Sequence, residues 1–277
     1  MKKKNVVFLL LASLVSLSLT QCNLFNFDNE SYDPSKDLAT YSMPYIEQTE
    51  DFIDIEENIV TGSAARSRTS VVIPAKNARG EPIVAIGAHA FMFHNKLQTV
   101  TFEEGSEVTL IREHAFDGCK ALNSITFPET VEIIEDCAFS YCSFSWISIP
   151  KNVTFLGQNC FYSCTLFSSF KIPPKVTKLS KYLFNRCSNL QKVTVHKDVT
   201  EIDEYVFLDC EPECRFYYEG TEEEFNAIKG KENVSVPVYY YSETPPKKDV
   251  DGKYIGHYWH YILDDYEMAY EDEPTFN

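Results

Sequence analysis

The sequence predicts a mainly β fold, a solenoid of about six stacked coils of 22–25 residues with a β cap at the N-terminal end and a helix-plus-aromatic cap at the C-terminal end. Three observations predict it. First, an Ala-Phe pair recurs as Ala90-Phe91, Ala115-Phe116 and Ala138-Phe139, then loosens to Cys160-Phe161, Leu183-Phe184 and Val206-Phe207, with Phe spacings of 25, 23, 22, 23 and 23. Second, an aliphatic stands five residues before each Phe (Ile86, Ile111, Ile134, Leu156, Leu179, Ile202), and three residues after it stand His94, Cys119, Cys142, Cys164, Cys187 and Cys210. Third, each copy runs into an alternating apolar segment: Leu97/Val100/Phe102, Leu122/Ile125/Phe127, Phe144/Ile147/Ile149, Phe167/Phe170/Ile172, Leu190/Val193/Val195, and finally Phe216 and Tyr218. Alternation is what a half-buried strand requires. One such coil cannot bury its own apolar face, so the copies must stack.

Along the chain, Lys2, Lys3 and Lys4 precede an apolar stretch from Val6 to Leu19 that is too short to span a bilayer core of roughly 30 Å, which reads as an export signal over residues 1–21. It runs into Leu19-Thr20-Gln21-Cys22, which resembles a bacterial lipoprotein processing site with Cys22 as the lipidated residue. Gln21 departs from that pattern, which has a small residue before the Cys. The alternative is a leader cleaved nearby to release a secreted protein. Residues 22–45 read as an acidic linker, 46–83 as an N-terminal cap and first strand, 84–218 as the solenoid, 219–263 as a C-terminal cap and 264–277 as an acidic tail. Within the C-terminal cap, Thr221 and Glu224 have the spacing of a helix capping box. Pro128, Pro150 and Pro173 follow the strand segments, where a residue that donates no ladder hydrogen bond ends a strand.

Composition narrows the function. With 44% apolar and 14% aromatic residues the chain is too hydrophobic for disorder. Its 25 Lys and Arg against 41 Asp and Glu argue against nucleic acid, whose phosphates demand a cationic surface. Without the three leader lysines the balance is 22 against 41, a net charge of -19.

The pattern IPxxVxxIGxxAFxxCxxL, seen best in Ile149-Pro150, Val153, Leu156-Gly157, Phe161, Cys164 and Phe167, resembles the BspA-like leucine-rich repeat family of bacterial surface proteins. The resemblance covers about residues 71–218. It implies a right-handed solenoid and a role in adhesion or ligand binding at the cell surface, and it carries over no catalytic residue. Tyr239-Tyr240-Tyr241 and Tyr258-Trp259-His260-Tyr261 resemble the terminal segment of such proteins.

Nine cysteines in an exported chain suggest disulfides. Five of them, Cys119, Cys142, Cys164, Cys187 and Cys210, nevertheless share one repeat column, where neighbours about 4.8 Å apart exceed usual disulfide Cβ separations of roughly 3.5–4.5 Å. A column of structural thiols is expected, with Cys214, outside it, the one exception that could reach Cys210. Cys137, Cys142, Cys160 and Cys164 lack zinc-ribbon spacing, and His89, His114 and Cys137 share the position two before the Phe without making a ligand set; no metal and no cofactor are expected. His257 and His260 read as packing residues. No nucleophile-elbow, metalloprotease or phosphate-loop motif is present.

On the strand segments the third and fifth positions face away from the core: Thr99 and Thr101, Ser124 and Thr126, Trp146 and Ser148, Ser169 and Lys171, Lys192 and Thr194, Arg215 and Tyr217. Trp146 is a large aromatic on a ribbon of small hydroxyl residues, and Trp is enriched in binding hot spots. Lys151 to Lys197 contains eight basic residues and no acidic one, which reads as a positive belt. Trp146, Lys171, Lys192, Arg215 and Tyr217 are therefore the candidate ligand-binding residues. The expected function is a non-enzymatic protein, lipid-anchored at the bacterial cell surface or secreted, whose ribbon binds an extracellular protein or an anionic glycan. The alternative is an envelope-organising lipoprotein without a soluble ligand; a hydrolase using a Cys and a His ranks last.

Overall fold

In the computed structural model, which describes residues 53–63, 66–243 and 256–259, the sequence repeat becomes parallel ladders of short strands. These residues belong to the unit Gln48–Asn277. The leader, Cys22, the 22–45 segment, His260 and the tail from 264 lie outside the described residues. The first strands are β1 (Ile53–Glu56), β2 (Ile59–Ser63), β3 (Ser70–Ile73), β4 (Ala85–Ile86), β5 (Thr99–Phe102), β6 (Leu110–Ile111), β7 (Ser124–Ile125) and β8 (Ile133–Ile134). They continue as β9 (Phe155–Leu156), β10 (Ser169–Lys171), β11 (Lys178–Leu179), β12 (Lys192–Val195), β13 (Glu201–Ile202), β14 (Arg215–Tyr218), β15 (Val238–Tyr241) and β16 (Tyr258–Trp259).

Two ladders share these strands. The alternating segments form a ribbon, in the orders β3-β5-β7 and β10-β12-β14-β15-β16. The aliphatic positions before each Phe form the other, β1-β2-β4-β6-β8-β9 and β11-β13. Apart from the antiparallel hairpin β1-β2, every strand pair is parallel, as stacked coils of one hand of travel demand. Between ribbon and second ladder the chain turns where the prolines stand. The carbonyls of Pro128, Pro150 and Pro173 accept from the amides of Val131, Val153 and Val176 at 3.0–3.3 Å, which explains the Pro-x-x-Val spacing.

The core is a column of phenylalanines. Phe91, Phe116, Phe139, Phe161, Phe184 and Phe207 are buried and stack ring on ring. Around each of them the backbone is kinked twice into the left-handed region. The residues two before and two after the Phe, from His89 and Phe93 to Tyr205 and Asp209, have φ of 52–62° wherever they are not Gly118. Such a conformation costs roughly 1–2 kcal/mol for a residue with a Cβ. It persists because the kinks aim amides along the stack: His114, Phe116 and Gly118 donate to Asp136, Ala138 and Ser140 of the next coil at 2.9–3.0 Å. Gly157 has the opposite need. A Cβ there would lie 2.3 Å from the Asp136 backbone nitrogen, so only glycine lets coil approach coil at this point.

The cysteine column is unbridged and, apart from half-exposed Cys210, buried; all eight described cysteines are free thiols, and Cys210 and Cys214 are not paired. Each column thiol has a different task from the packing expected of it. Cys119, Cys142, Cys164, Cys187 and Cys210 donate to the carbonyls of Phe91, Phe116, Phe139, Phe161 and Phe184, one coil back, at 2.9–3.4 Å. His94 starts the column and its Nε2 meets the Ser63 carbonyl at 2.9 Å, a longer side chain reaching across to the hairpin. Each of these carbonyls also accepts the amide three residues on in its own turn at 3.1–3.3 Å, so the thiol supplies its second hydrogen bond. At the other end, α1 (Glu222–Asn226) begins with the capping box that the sequence predicts, Thr221 accepting from the Glu224 amide while the Glu224 carboxylate accepts from the Thr221 amide. Its Phe225 packs edge-on against Phe216 and Tyr218.

Candidate ligand-binding face

The ribbon's outward side chains align in two columns along the stack. One runs Thr99, Ser124, then Trp146, then Ser169, Lys192 and Arg215; strand register pairs Thr99 with Ser124, and Ser169 with Lys192 and Arg215. The second contains Val72 and Thr101, and later Lys171, Thr194, Tyr217 and Tyr239. Trp146 is 70% exposed, the most exposed large apolar side chain among the described residues.

Trp146 also marks a break in the ribbon ladder. β7 pairs only with β5 and β10 only with β12, so no ladder joins the segment 144–149 to either neighbour among the described residues. Single hydrogen bonds flank it, Ser143 to the Leu122 carbonyl at 2.8 Å and Ser168 to the Ser145 carbonyl at 3.4 Å. Beneath it the core is unusually rich in aromatic rings. Phe144 and Phe167 stand where other coils place Leu97, Leu122 or Leu190, and Phe170 where they place Val100, Ile125 or Val193. These rings crowd Phe161 from two sides, with centroids 5.5 Å (Phe167) and 5.0 Å (Phe170) away. The Phe stack is 5.1 Å between Phe91 and Phe116 and 6.0 Å both between Phe139 and Phe161, where the ribbon ladder is interrupted, and between Phe161 and Phe184, where β10 pairs with β12.

The cationic part of the face lies on β10, β12 and β14. Lys192 is half-buried, its ammonium 5.5 Å from the centre of the Tyr217 ring. Burial, reinforced by the like charge of Lys171, pulls its pKa from 10.5 down to about 8. Lys171 reaches Glu219 at 3.1 Å, and the Arg215 guanidinium donates to the Glu213 carbonyl.

Two expectations are corrected. Tyr217 does face outward, but it is only 8% exposed. The cap strands add an aromatic layer in which Tyr217 stacks on Tyr239 at 5.2 Å and meets Trp259 edge-on at 5.8 Å. Trp259 is anchored by its Nε1, which donates to the Tyr218 carbonyl at 3.0 Å, and His257 stacks on Tyr239. Tyr239 and Trp259 thus belong to the face. The alternation Val238-Tyr239-Tyr240-Tyr241, continuing the ribbon's own pattern, is the signal that marks them. The positive belt is the second correction. Lys178, Lys181 and Arg186 pair with Glu201, Glu204 and Asp209 at 3.3–3.7 Å, each partner 23 residues downstream. One repeat period turns a linear run of cations into rows of ion pairs. An open hollow of about 420 Å³ beside the cap is lined by Lys181, Glu201 and Glu204, and Lys229 closes on Glu201 there at 2.8 Å.

The turn ridge of the first three coils holds the other titratable cluster. The His89 and His114 rings stack at 5.0 Å, and His114 Nδ1 lies 2.8 Å from the buried Asp117 carboxylate. Burial lowers the His89 pKa to about 4 and raises those of Asp117 and Cys137. A thiol held this far toward its neutral form is a poor nucleophile. Among the described residues no three His, Cys, Asp or Glu converge as a metal-ligand set.

Comparison with known proteins identifies the repeat. The family model described as a BspA type leucine rich repeat region matches six copies over residues 84–213. Among solved structures, a leucine-rich repeat protein of T. pallidum is 25% identical, with a TM-score of 0.42 over 55% of this chain and 80% of that one. One from Bacteroides ovatus is 17% identical, with a TM-score of 0.43 over 72% of this chain and 71% of that one. A leucine-rich cell surface protein of Faecalibacterium prausnitzii is 16% identical, with a TM-score of 0.27 over 66% of this chain and 84% of that one. No curated protein matches.

Proposed function

We infer that this chain, whose residues 84–213 belong to the BspA-type leucine-rich repeat family, is a non-enzymatic protein of the bacterial cell surface that binds an extracellular macromolecule on its ribbon. Export follows from the charged and apolar leader, and attachment from lipidation of Cys22. The observation that carries the binding reading is Trp146, a 70% exposed aromatic at the repeat position that Ser169, Lys192 and Arg215 hold in the following coils. An aromatic ring left in water at the centre of a low ribbon is the kind of residue on which a partner gains most on docking.

The test is a screen of the chain from residue 23 against extracellular matrix proteins and glycans, repeated with Trp146→Ala. A partner whose affinity falls at least tenfold in the variant, at unchanged thermal midpoint, supports the reading. Equal affinity for every partner found moves the site off this face. Cys22→Ser tests attachment: loss of lipid labelling and release from the membrane fraction is expected, and retention at the parent level refutes the anchor.

A further inference from the structure

We propose that the column Trp146, Ser169, Lys192, Arg215 is the track of a linear acidic glycan, with one sugar ring on Trp146 and successive anionic groups, carboxylate or sulfate, at Lys192 and Arg215. The proposal deepens the ribbon reading above and rests on it.

Three features favour this occupant over an acidic peptide. Ser169, Lys192 and Arg215 lie in register on adjacent strands, so these side chains repeat at the strand spacing of about 4.8 Å. A pyranose in an extended chain advances by nearly the same step, whereas an extended peptide advances about 3.3 Å per residue and falls out of phase within two coils. The lining offers one flat apolar surface, then hydroxyls, then cations: Trp146 and Ser169 are exposed, and Lys192 and Arg215 occupy adjacent strands in direct register. Sugar rings use those three chemistries together.

The third feature is that the cations are held at a cost. Lys192 is drawn onto the Tyr217 ring, half out of water, beside a second lysine. Tyr217 is kept there by Tyr239 and Trp259, so the floor is rigid before any ligand arrives. Strands β10, β12 and β14 carry three cations, Lys171, Lys192 and Arg215, and no carboxylate; Glu219, just past β14, meets Lys171 at 3.1 Å. The ammonium of Lys192 titrates low, at about 8, because burial and Lys171 disfavour its charge. An anion alongside it reverses that preference. Preorganised charge that destabilises the empty protein is what a binding site needs and a merely solubilising surface does not.

The experiment follows the titration of Lys192 by NMR of the lysine side chains in the unaltered protein. Spectra are taken alone and with oligogalacturonate (carboxylate), sulfated dextran oligosaccharide (sulfate) or neutral dextran. The expected result is an upward shift of at least one pH unit with one or both acidic probes and none with the neutral one; which probe acts identifies the anion. Lys192→Met and Arg215→Met should each weaken the acidic probe at least fivefold and flatten its salt dependence. Trp146→Ala should weaken it with the salt slope unchanged. If neither acidic probe moves the Lys192 titration while Trp146→Ala still weakens a partner from the screen, the glycan track is wrong and the ribbon reading stands. If Trp146→Ala is silent as well, both fall. Because the titration needs no variant, it remains decisive even where Lys192→Met fails to fold.

Discussion

The first three coils and the last three follow one template and are held together differently. In the first half the Phe stack is tight, 5.1–5.4 Å, and the second ladder runs unbroken from β2 to β8 and on into β9 of the fourth coil. In the second half the stack opens to 5.9–6.0 Å, that ladder restarts as β11-β13, and the ribbon restarts as β10. The halves also handle charge in opposite ways. Glu113 and Glu135 face each other on adjacent coils of the first half, and burial, with hydrogen bonding to Glu113, raises the Glu135 pKa to about 7. The second half sets Lys178, Lys181 and Arg186 against acids one period away. The phase of charges against the period thus decides whether neighbouring coils attract.

Four measurements probe this contrast. The largest effect is expected of Phe161→Ala, since Phe161 touches the rings of Phe139, Phe167, Phe170 and Phe184 and is fully buried. It should cost about 3–5 kcal/mol in a denaturant titration; a cost under about 1 kcal/mol would mean that the junction between the halves is not packed as described. Next, Phe170→Val restores the side chain that Val100 and Val193 provide in their coils. Stability should fall by about 1–3 kcal/mol in the same titration; a cost under about 0.5 kcal/mol would mean that Phe170 does not fill the space between Phe161, Phe167 and Phe184.

The third concerns pH. A carboxyl whose folded pKa is raised stabilises the protein below its unfolded value of 4.5, and that stability is lost as pH rises through about 7. The thermal midpoint should therefore decline between about pH 5 and pH 8, and Glu135→Gln should flatten the decline. An unchanged slope in the variant would place the titration elsewhere. The smallest effect is read by thiol labelling in native buffer. All eight described thiols should count as free in denaturant. Before unfolding, Cys210 should react first, because it alone among them is half-exposed. Labelling of Cys164 or Cys187 ahead of Cys210 would show that the second half opens by itself.

Much of this molecule is legible in its sequence. The period, the Phe column, the inward residues of the ribbon and the Thr221 capping box follow from identities at fixed spacing, since every coil presents the same environment to the same position. The ribbon's outward columns are legible on the same grounds, and with them Trp146, Lys192 and Arg215. What spacing alone leaves open is everything that depends on a neighbour one coil away. That the cysteines donate to Phe carbonyls, that Tyr217 is covered by Tyr239 and Trp259, and that a run of lysines is paired with acids were decided only by stacking. The break in the ribbon at Trp146 is of the same kind: the apolar pattern of 144–149 continues in phase, and only the strand register shows that it joins neither neighbour. A repeat specifies which side chains enter the core because burial depends on polarity, which can be read one residue at a time. How far apart the coils come to rest depends on summed volume, which exists only in the assembled stack.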